Sequence, residues 1–254
     1  MARWTQAKFY GAEGEADAME AIVPIVHGHD GLLEIIGSGV FILREGCLLT
    51  ASHVLSAAKD GDHLFVIQKR MGAERYDFRQ VIKARAYEGL DVGFAFVEPV
   101  FDDNGQALGC RTLRPTMKLP KVGTSAWTYG YPQSVVVPPT GGFDGPLLLP
   151  ERDAVSGTIT AHYLEGRDAV MQPSACIEIS MDTAGGASGG PVMNEEGLVF
   201  GVVSSGMDGG PTYAAPIQAV LAQPMLAVNG DSSNIVSPWE YLKKYEWVNP
   251  DLHE

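Results

Sequence analysis

The chain has 254 residues and a formal net charge of −13, long enough to bury the core of one large domain or two small ones. That charge repels a phosphate backbone, which argues against nucleic acid as a partner, and no run of eighteen apolar residues occurs, which argues against a membrane-spanning helix. Thirty glycines and sixteen prolines favour many turns over long helices, and a hydrophobic fraction of 45% is ordinary for a globular protein.

Residues 1–20 are polar and rich in Gly, Ala and Glu, so they are expected to be loosely held. Met1 to Lys8 carries neither an apolar run nor a cleavage signature, so no signal peptide is expected there. Short runs rich in Val, Ile and Phe follow at 21–27, 33–43, 47–52, 64–68, 79–85 and 92–97, punctuated by Gly and Asp. They read as strands, and six such strands with turns between them suggest a small barrel. Residues 54–59 can form one helical turn. His27-Gly28-His29 reads as a turn, and His63, His162 and His253 are scattered, so no metal-ligand spacing appears and no cofactor is expected.

Residues 98–121 read as a connection to a second set of strands, at 125–131, 156–164, 175–181, 190–192, 198–204 and 211–215. A Pro/Gly-rich loop at 132–152 interrupts this set. It is either a surface loop or a functional one, and loops this long in compact domains are more often functional than average. Near the C-terminus, Ser237-Pro238-Trp239-Glu240 places Ser at the N-cap, Pro at N1 and Glu at N3 of a short helix through Tyr245. Trp239, Tyr241, Leu242, Tyr245 and Trp247 give that tail an apolar stripe, which either packs back on the domain or docks a regulatory partner. Cys47, Cys110 and Cys176 are odd in number and widely spaced. They are read as buried small hydrophobes rather than a disulfide framework, which with the absence of a signal peptide points to the cytoplasm.

One stretch carries chemistry. Gly185-Gly186-Ala187-Ser188-Gly189-Gly190-Pro191-Val192 sets one serine among paired glycines, ahead of an apolar strand. Glycines there admit turn geometry that a Cβ forbids, and they let a substrate approach the backbone. The N–H groups of Gly186 and Ser188 then converge as an oxyanion hole. Serine alone is a weak nucleophile, so a histidine base and an orienting carboxylate are required. Thr50-Ala51-Ser52-His53 ends one apolar strand in a histidine, and Asp91 opens another, Asp91-Val92-Gly93-Phe94-Ala95-Phe96-Val97. Asp102 and Asp103 are the other carboxylates to weigh, but no apolar strand follows their Asp-Asp-Asn-Gly turn.

With GGASGGPV, TASH, DVGFAFV and Gly201-Val202-Val203-Ser204-Ser205-Gly206, the chain resembles the trypsin-like, chymotrypsin-fold serine peptidases over roughly residues 20–226. The resemblance implies an all-β fold of two six-stranded antiparallel barrels with the active site between them and a short C-terminal helix. It divides the chain into a polar segment 1–20, a first barrel 21–112 with His53 and Asp91, a second barrel 113–226 with Ser188, and a tail 227–254. It implies an endopeptidase acting through Ser188, His53 and Asp91, with protein or peptide substrates. A catalytically silent, peptide-binding pseudo-peptidase is the alternative. It also places Asp182 at the floor of the P1 pocket, where it would favour Lys or Arg, with Thr183 and Gly206 leaving that pocket open. Ser204, Ser205 and Gly206 match the segment that pairs with substrate backbone. Val203 stands where glutamate-specific relatives have histidine, which argues against acidic P1. Relatives switched on by a cut N-terminus have an aspartate immediately before the catalytic serine. Ala187 stands there, so the glycine loop must be held by other contacts or ordered by a partner.

Overall fold

The computed structural model describes residues 8–11, 14–30, 32–59, 61–70, 75–87, 89–132, 135–137, 147–149, 153–207, 209–227 and 233–246. A hairpin, β1 (Lys8–Gly11) and β2 (Gly14–Asp17), leads into a single 3-10 turn over Ala18–Glu20. The first barrel follows: β3 (Ile22–His29), β4 (Leu32–Leu43), β5 (Cys47–Thr50), β6 (His63–Lys69), β7 (Tyr76–Tyr87) and β8 (Val92–Val97). It closes in the order β3-β4-β5-β8-β7-β6 with every pair antiparallel. Between β5 and β6 lies α1 (Ser52–Leu55).

The connection carries a small hairpin, β9 (Val100–Phe101) with β10 (Ala107–Leu108), and runs on to bridge Pro115 to Val199. The second barrel consists of β11 (Ser125–Gly130), β14 (Asp153–Tyr163), β15 (Cys176–Ile179), β16 (Pro191–Met193), β17 (Val199–Gly206) and β18 (Thr212–Pro216). Its closed order is β11-β14-β15-β18-β17-β16. A further hairpin, β12 (Val135–Val137) with β13 (Leu147–Leu149), lies in the loop after β11, and β12 lies against β4. After β18 come α2 (Gln218–Leu221), the pair β19 (Leu226–Ala227) and β20 (Ile235–Val236), and α3 (Pro238–Tyr241), which passes into a π-helical turn over Leu242–Glu246. The fold is all-β with two closed six-stranded barrels and a short C-terminal helix.

Three buried clusters explain why the strands read as continuous apolar runs. Val23, Ile25, Phe41, Leu48, Val66 and Ala95 fill the first barrel. Ala126, Ile159, Ile177, Val192, Phe200 and Val203 fill the second. A third cluster spans both and includes Ile22, Val40, Ile42, Leu49, Phe94, Tyr129, Val202 and Ile217. Successive side chains of a strand point to opposite faces. Val40, Phe41 and Ile42 therefore alternate seam, barrel, seam, and Leu48 and Leu49 do the same. Each large side chain so buried contributes roughly 1.5–3 kcal/mol.

Four sequence expectations change. The segment 1–20 is not loose to its end, because Ala18, Met19 and Glu20 are buried and Met19 joins the seam cluster. Asp17 caps that turn by accepting the Met19 N–H at 3.0 Å. His27, Gly28 and His29 are the end of β3 rather than a turn. The helical turn expected over 54–59 starts earlier, at Ser52, and so contains His53. The 132–152 loop holds the hairpin β12–β13, and its residues 133–134, 138–146 and 150–152 lie outside the described residues.

The tail keeps its predicted cap: the Ser237 hydroxyl accepts the Glu240 N–H at 3.1 Å, and Glu240 returns to the Ser237 N–H at 3.0 Å. Leu242 is fully buried in the seam cluster, with Trp239 and Tyr241 packed on it. The Tyr241 hydroxyl donates to Glu45 of the first barrel at 2.8 Å. The stripe thus packs back on the domain through Trp239, Tyr241 and Leu242; Trp247 lies outside the described residues. Cys47, Cys110 and Cys176 are free thiols, all buried.

Candidate active site

The first barrel delivers two of the expected residues on adjoining turns. His53 is the second residue of α1, three residues beyond the end of the buried strand β5. Asp91 ends the turn before β8 with φ +45°, a left-handed conformation that Asp tolerates better than most residues. That turn is closed by the Leu90 N–H on the Tyr87 carbonyl at 3.2 Å. His53 Nδ1 lies 3.0 Å from Asp91 Oδ1 and 3.1 Å from Oδ2. The His53 backbone N–H adds a bond to Oδ1 at 3.2 Å. An ionised carboxylate only accepts, so this contact puts the imidazole proton on Nδ1 and leaves the Nε2 lone pair free for proton transfer.

Ser52 ties the two turns together. Its hydroxyl donates to the Val92 carbonyl at 2.7 Å and accepts the Tyr87 N–H at 3.2 Å. The serine of TASH therefore bridges the turns that carry His53 and Asp91.

Asp91 has a third partner. The Ser204 hydroxyl, from β17 of the second barrel, donates to Oδ2 at 2.5 Å. Burial alone would push the Asp91 carboxyl up, but the hydrogen bonds from His53 and Ser204 outweigh it and hold the group below its ordinary value. Asp91 is therefore a fixed anion at neutral pH, with a side chain only 21% exposed. Reading Ser204 as a backbone partner for substrate missed this use of its side chain.

The second barrel delivers the glycine loop. Gly186 has φ +90° and Gly189 φ +82°, values that strain any residue with a Cβ. A Cβ on Gly189 would lie 2.1 Å from Thr50 Oγ1 and 2.2 Å from the Ser38 carbonyl oxygen, so the loop is pressed against the first barrel. Ala187 N–H bonds Ala184 O at 3.2 Å, Gly190 N–H bonds Ala187 O at 2.9 Å, and Gly189 N–H bonds Val203 O at 2.7 Å. Ser38, fully buried in β4, meets the loop twice: its N–H donates to Ser188 O at 2.7 Å and its hydroxyl to Gly186 O at 2.9 Å. Among the described residues, the N–H groups of Gly186 and Ser188 donate to no protein acceptor. Ser188 is half-buried. No hydrogen bond joins Ser188 Oγ to His53 among the described residues, and bonds of this kind commonly tighten only when substrate binds.

The residues expected around P1 are spread differently. Asp182 is exposed. Thr183 is buried and shares a 2.9 Å hydroxyl–hydroxyl bond with Thr212, which in turn donates to the Met181 carbonyl at 2.8 Å. A Cβ on Gly206 would lie 2.9 Å from Thr183 Oγ1, so these two residues are close neighbours. The Ser205 hydroxyl accepts from the buried Gln172 amide, which pins the β17 edge to the turn before β15.

A family model described as the trypsin-like peptidase domain matches residues 37–202, a span that contains His53, Asp91 and Ser188. The chain belongs to the trypsin-like peptidase family. Among solved structures, one titled "Crystal structure of Deg5" is similar at a TM-score of 0.55 and 21% identity, covering 80% of this chain and 86% of that one. This likeness is one of fold. No curated protein matches the sequence.

Proposed function

We propose that the protein is a serine endopeptidase in which Ser188 attacks a peptide carbonyl. His53 Nε2 takes the Ser188 proton as the Oγ–C bond forms, then gives it to the departing amine as the C–N bond breaks. Water repeats the sequence on the acyl-enzyme and restores the serine. Asp91 holds the Nδ1–H tautomer and stabilises the imidazolium. The Gly186 and Ser188 N–H groups receive the oxyanion, worth roughly 3 kcal/mol per donor. The observation that carries this reading is the His53–Asp91 pair, which binds Nδ1 and leaves Nε2 free, in a chain whose family match spans the serine loop.

The P1 side chain it accepts is small and uncharged. Thr183 and Gly206 approach closely, which supports a short pocket, and the exposed position of Asp182 gives no support to a buried anion for Lys or Arg. Substrates are polypeptides, with the strand edge Ser204 to Gly206 pairing with their backbone.

The test is labelling by a fluorophosphonate probe, with cleavage sites in an unfolded protein mapped by mass spectrometry. Wild type should label and cut within chains, and Ser188→Ala should do neither. A folded wild-type protein that binds peptides but never labels would instead be the pseudo-peptidase.

A further inference from the structure

We propose that Ser38 is a positioning residue for the oxyanion hole, acting from the first barrel on the peptide planes of the second. The inference rests on the peptidase reading and specifies what holds its catalytic loop in shape.

The loop has a particular need. Ala187 offers no carboxylate before the serine, so no buried ion pair can lock the segment from Gly185 to Ser188. Its internal bonds tie only Ala187, to Ala184 and to Gly190. Gly186 and Ser188 are the residues whose N–H groups must converge. Among the described residues, their carbonyls are anchored by one side chain and one backbone group, both belonging to Ser38. A peptide unit is planar, so the Gly186 carbonyl fixes the Gly186–Ala187 plane and the Ser188 carbonyl fixes the Ser188–Gly189 plane; the Ser188 N–H lies in the plane between these two, and the Gly186 N–H in the plane just before them. Together they clamp the nucleophile from both sides. Gly186 sits at φ +90°, a conformation that only the absence of a Cβ leaves unstrained.

Ser38 is itself held rigidly. Its hydroxyl also accepts the Tyr131 N–H at 3.1 Å, and its carbonyl accepts from Thr50 Oγ1 at 2.7 Å. The Tyr131 hydroxyl returns to the Ile22 carbonyl of β3 at 2.6 Å. The site is built for a small side chain, because a Cβ on Gly130 would lie 3.2 Å from Ser38 Oγ and one on Gly37 would lie 2.8 Å from Ser188 O. Serine is the smallest residue that both fills this space and supplies one donor and one acceptor. Thr50 precedes Ala51 and α1, so the chain of contacts from Gly186 to Ser38 to Thr50 runs on towards His53. The two halves of the site are thereby held in one frame.

The test compares Ser38→Ala with wild type in two affinities and one rate. An oxyanion hole acts on the tetrahedral state and not on ground-state peptide. Losing an oxyanion donor outright costs about 10²–10³ in kcat, so misaligning one should cost roughly 10–30-fold. Ser38→Ala should lower the fluorophosphonate labelling rate and the affinity for a peptide boronate by that factor, while binding of the cleaved product peptide stays within about twofold. Ser38→Cys, which keeps a weak donor of similar size, should recover part of the loss, and it takes the place of the alanine variant if that one does not fold. Equal losses in boronate and product affinity, or no loss in either, would overturn the role of Ser38. A wild-type protein that does not label at all would overturn the peptidase reading instead, so the two failures are distinguishable.

Discussion

The two barrels hold their halves of the site by different means. In the first, His53 and Asp91 are fixed through side chains: imidazole to carboxylate, carboxylate to the Ser204 hydroxyl of the second barrel, and the Ser52 hydroxyl across the two turns. In the second, the loop around Ser188 is fixed at its backbone: glycines at positive φ, carbonyls that accept from Ser38 of the first barrel, and, among the described residues, Gly186 and Ser188 N–H groups with no protein acceptor. The division suits the chemistry proposed for the two halves. A base must keep one tautomer, which takes a directed charge, whereas an oxyanion hole must present N–H groups, which takes a fixed main chain.

The largest effect separates chemistry from scaffold in the second barrel. Ser188→Ala should lower kcat by about 10⁶ and abolish fluorophosphonate labelling, while the melting temperature stays near that of wild type. Labelling that survives would mean that another residue is the nucleophile. Next comes the first barrel's charge. Asp91→Asn should cost on the order of 10⁴ in kcat through the wrong imidazole tautomer, with the fold retained. Activity within tenfold of wild type would show that another carboxylate holds His53.

The same division explains what the sequence made legible. His53, Asp91 and Ser188 stand out because each is a particular residue type in a particular apolar frame, and the strands alternate because one face fills a barrel and the other the seam. The span of the strands was readable to within a few residues for the same reason. Ser38 was not readable, because a serine in a strand has no periodic signature and its partners lie 148 and 93 residues away in sequence. The side-chain use of Ser204 was hidden behind its backbone role. The hydroxyl bond of Thr183 to Thr212 joins residues 29 apart in sequence, which no local pattern announces. Met19 looked like part of a polar segment because its neighbours in sequence are polar, although its neighbours in space are the seam.

A glycine pair probes the backbone half directly. Gly189→Ala puts a Cβ about where Thr50 Oγ1 and the Ser38 carbonyl already stand, at a φ of +82°. It should destabilise the protein by roughly 4 kcal/mol or more, read as a drop in denaturant midpoint. Gly185→Ala meets nothing within 4 Å and should stay within about 1 kcal/mol of wild type. Similar losses for both would mean that the loop is not pressed on the first barrel as described.

The smallest effect joins the two halves, at Ser204. Among the described residues its hydroxyl is the one hydrogen-bond donor from the second barrel to the Asp91 carboxylate, and a hydrogen bond to a charged group contributes about 1.5–3 kcal/mol. In the wild type the Asp91 group sits below its ordinary value despite burial, because the His53 and Ser204 bonds favour the anion. A carboxyl lowered in the folded state adds stability that is fully present above its unfolded value and is lost as pH falls through its folded one. Ser204→Ala removes one of the two side-chain bonds and leaves burial in place, so the folded value must rise. The stability gained from ionising Asp91 then begins to fade at a higher pH. Denaturant midpoints measured from about pH 7 down to about pH 3 should show the acid limb of Ser204→Ala displaced upwards in pH from that of wild type. At neutral pH, kcat should fall by no more than about tenfold, because His53 still holds the carboxylate and Asp91 is still charged. Two acid limbs that run parallel would show that Ser204 touches Asp91 without stabilising its charge, and that the anion is a property of the first barrel alone.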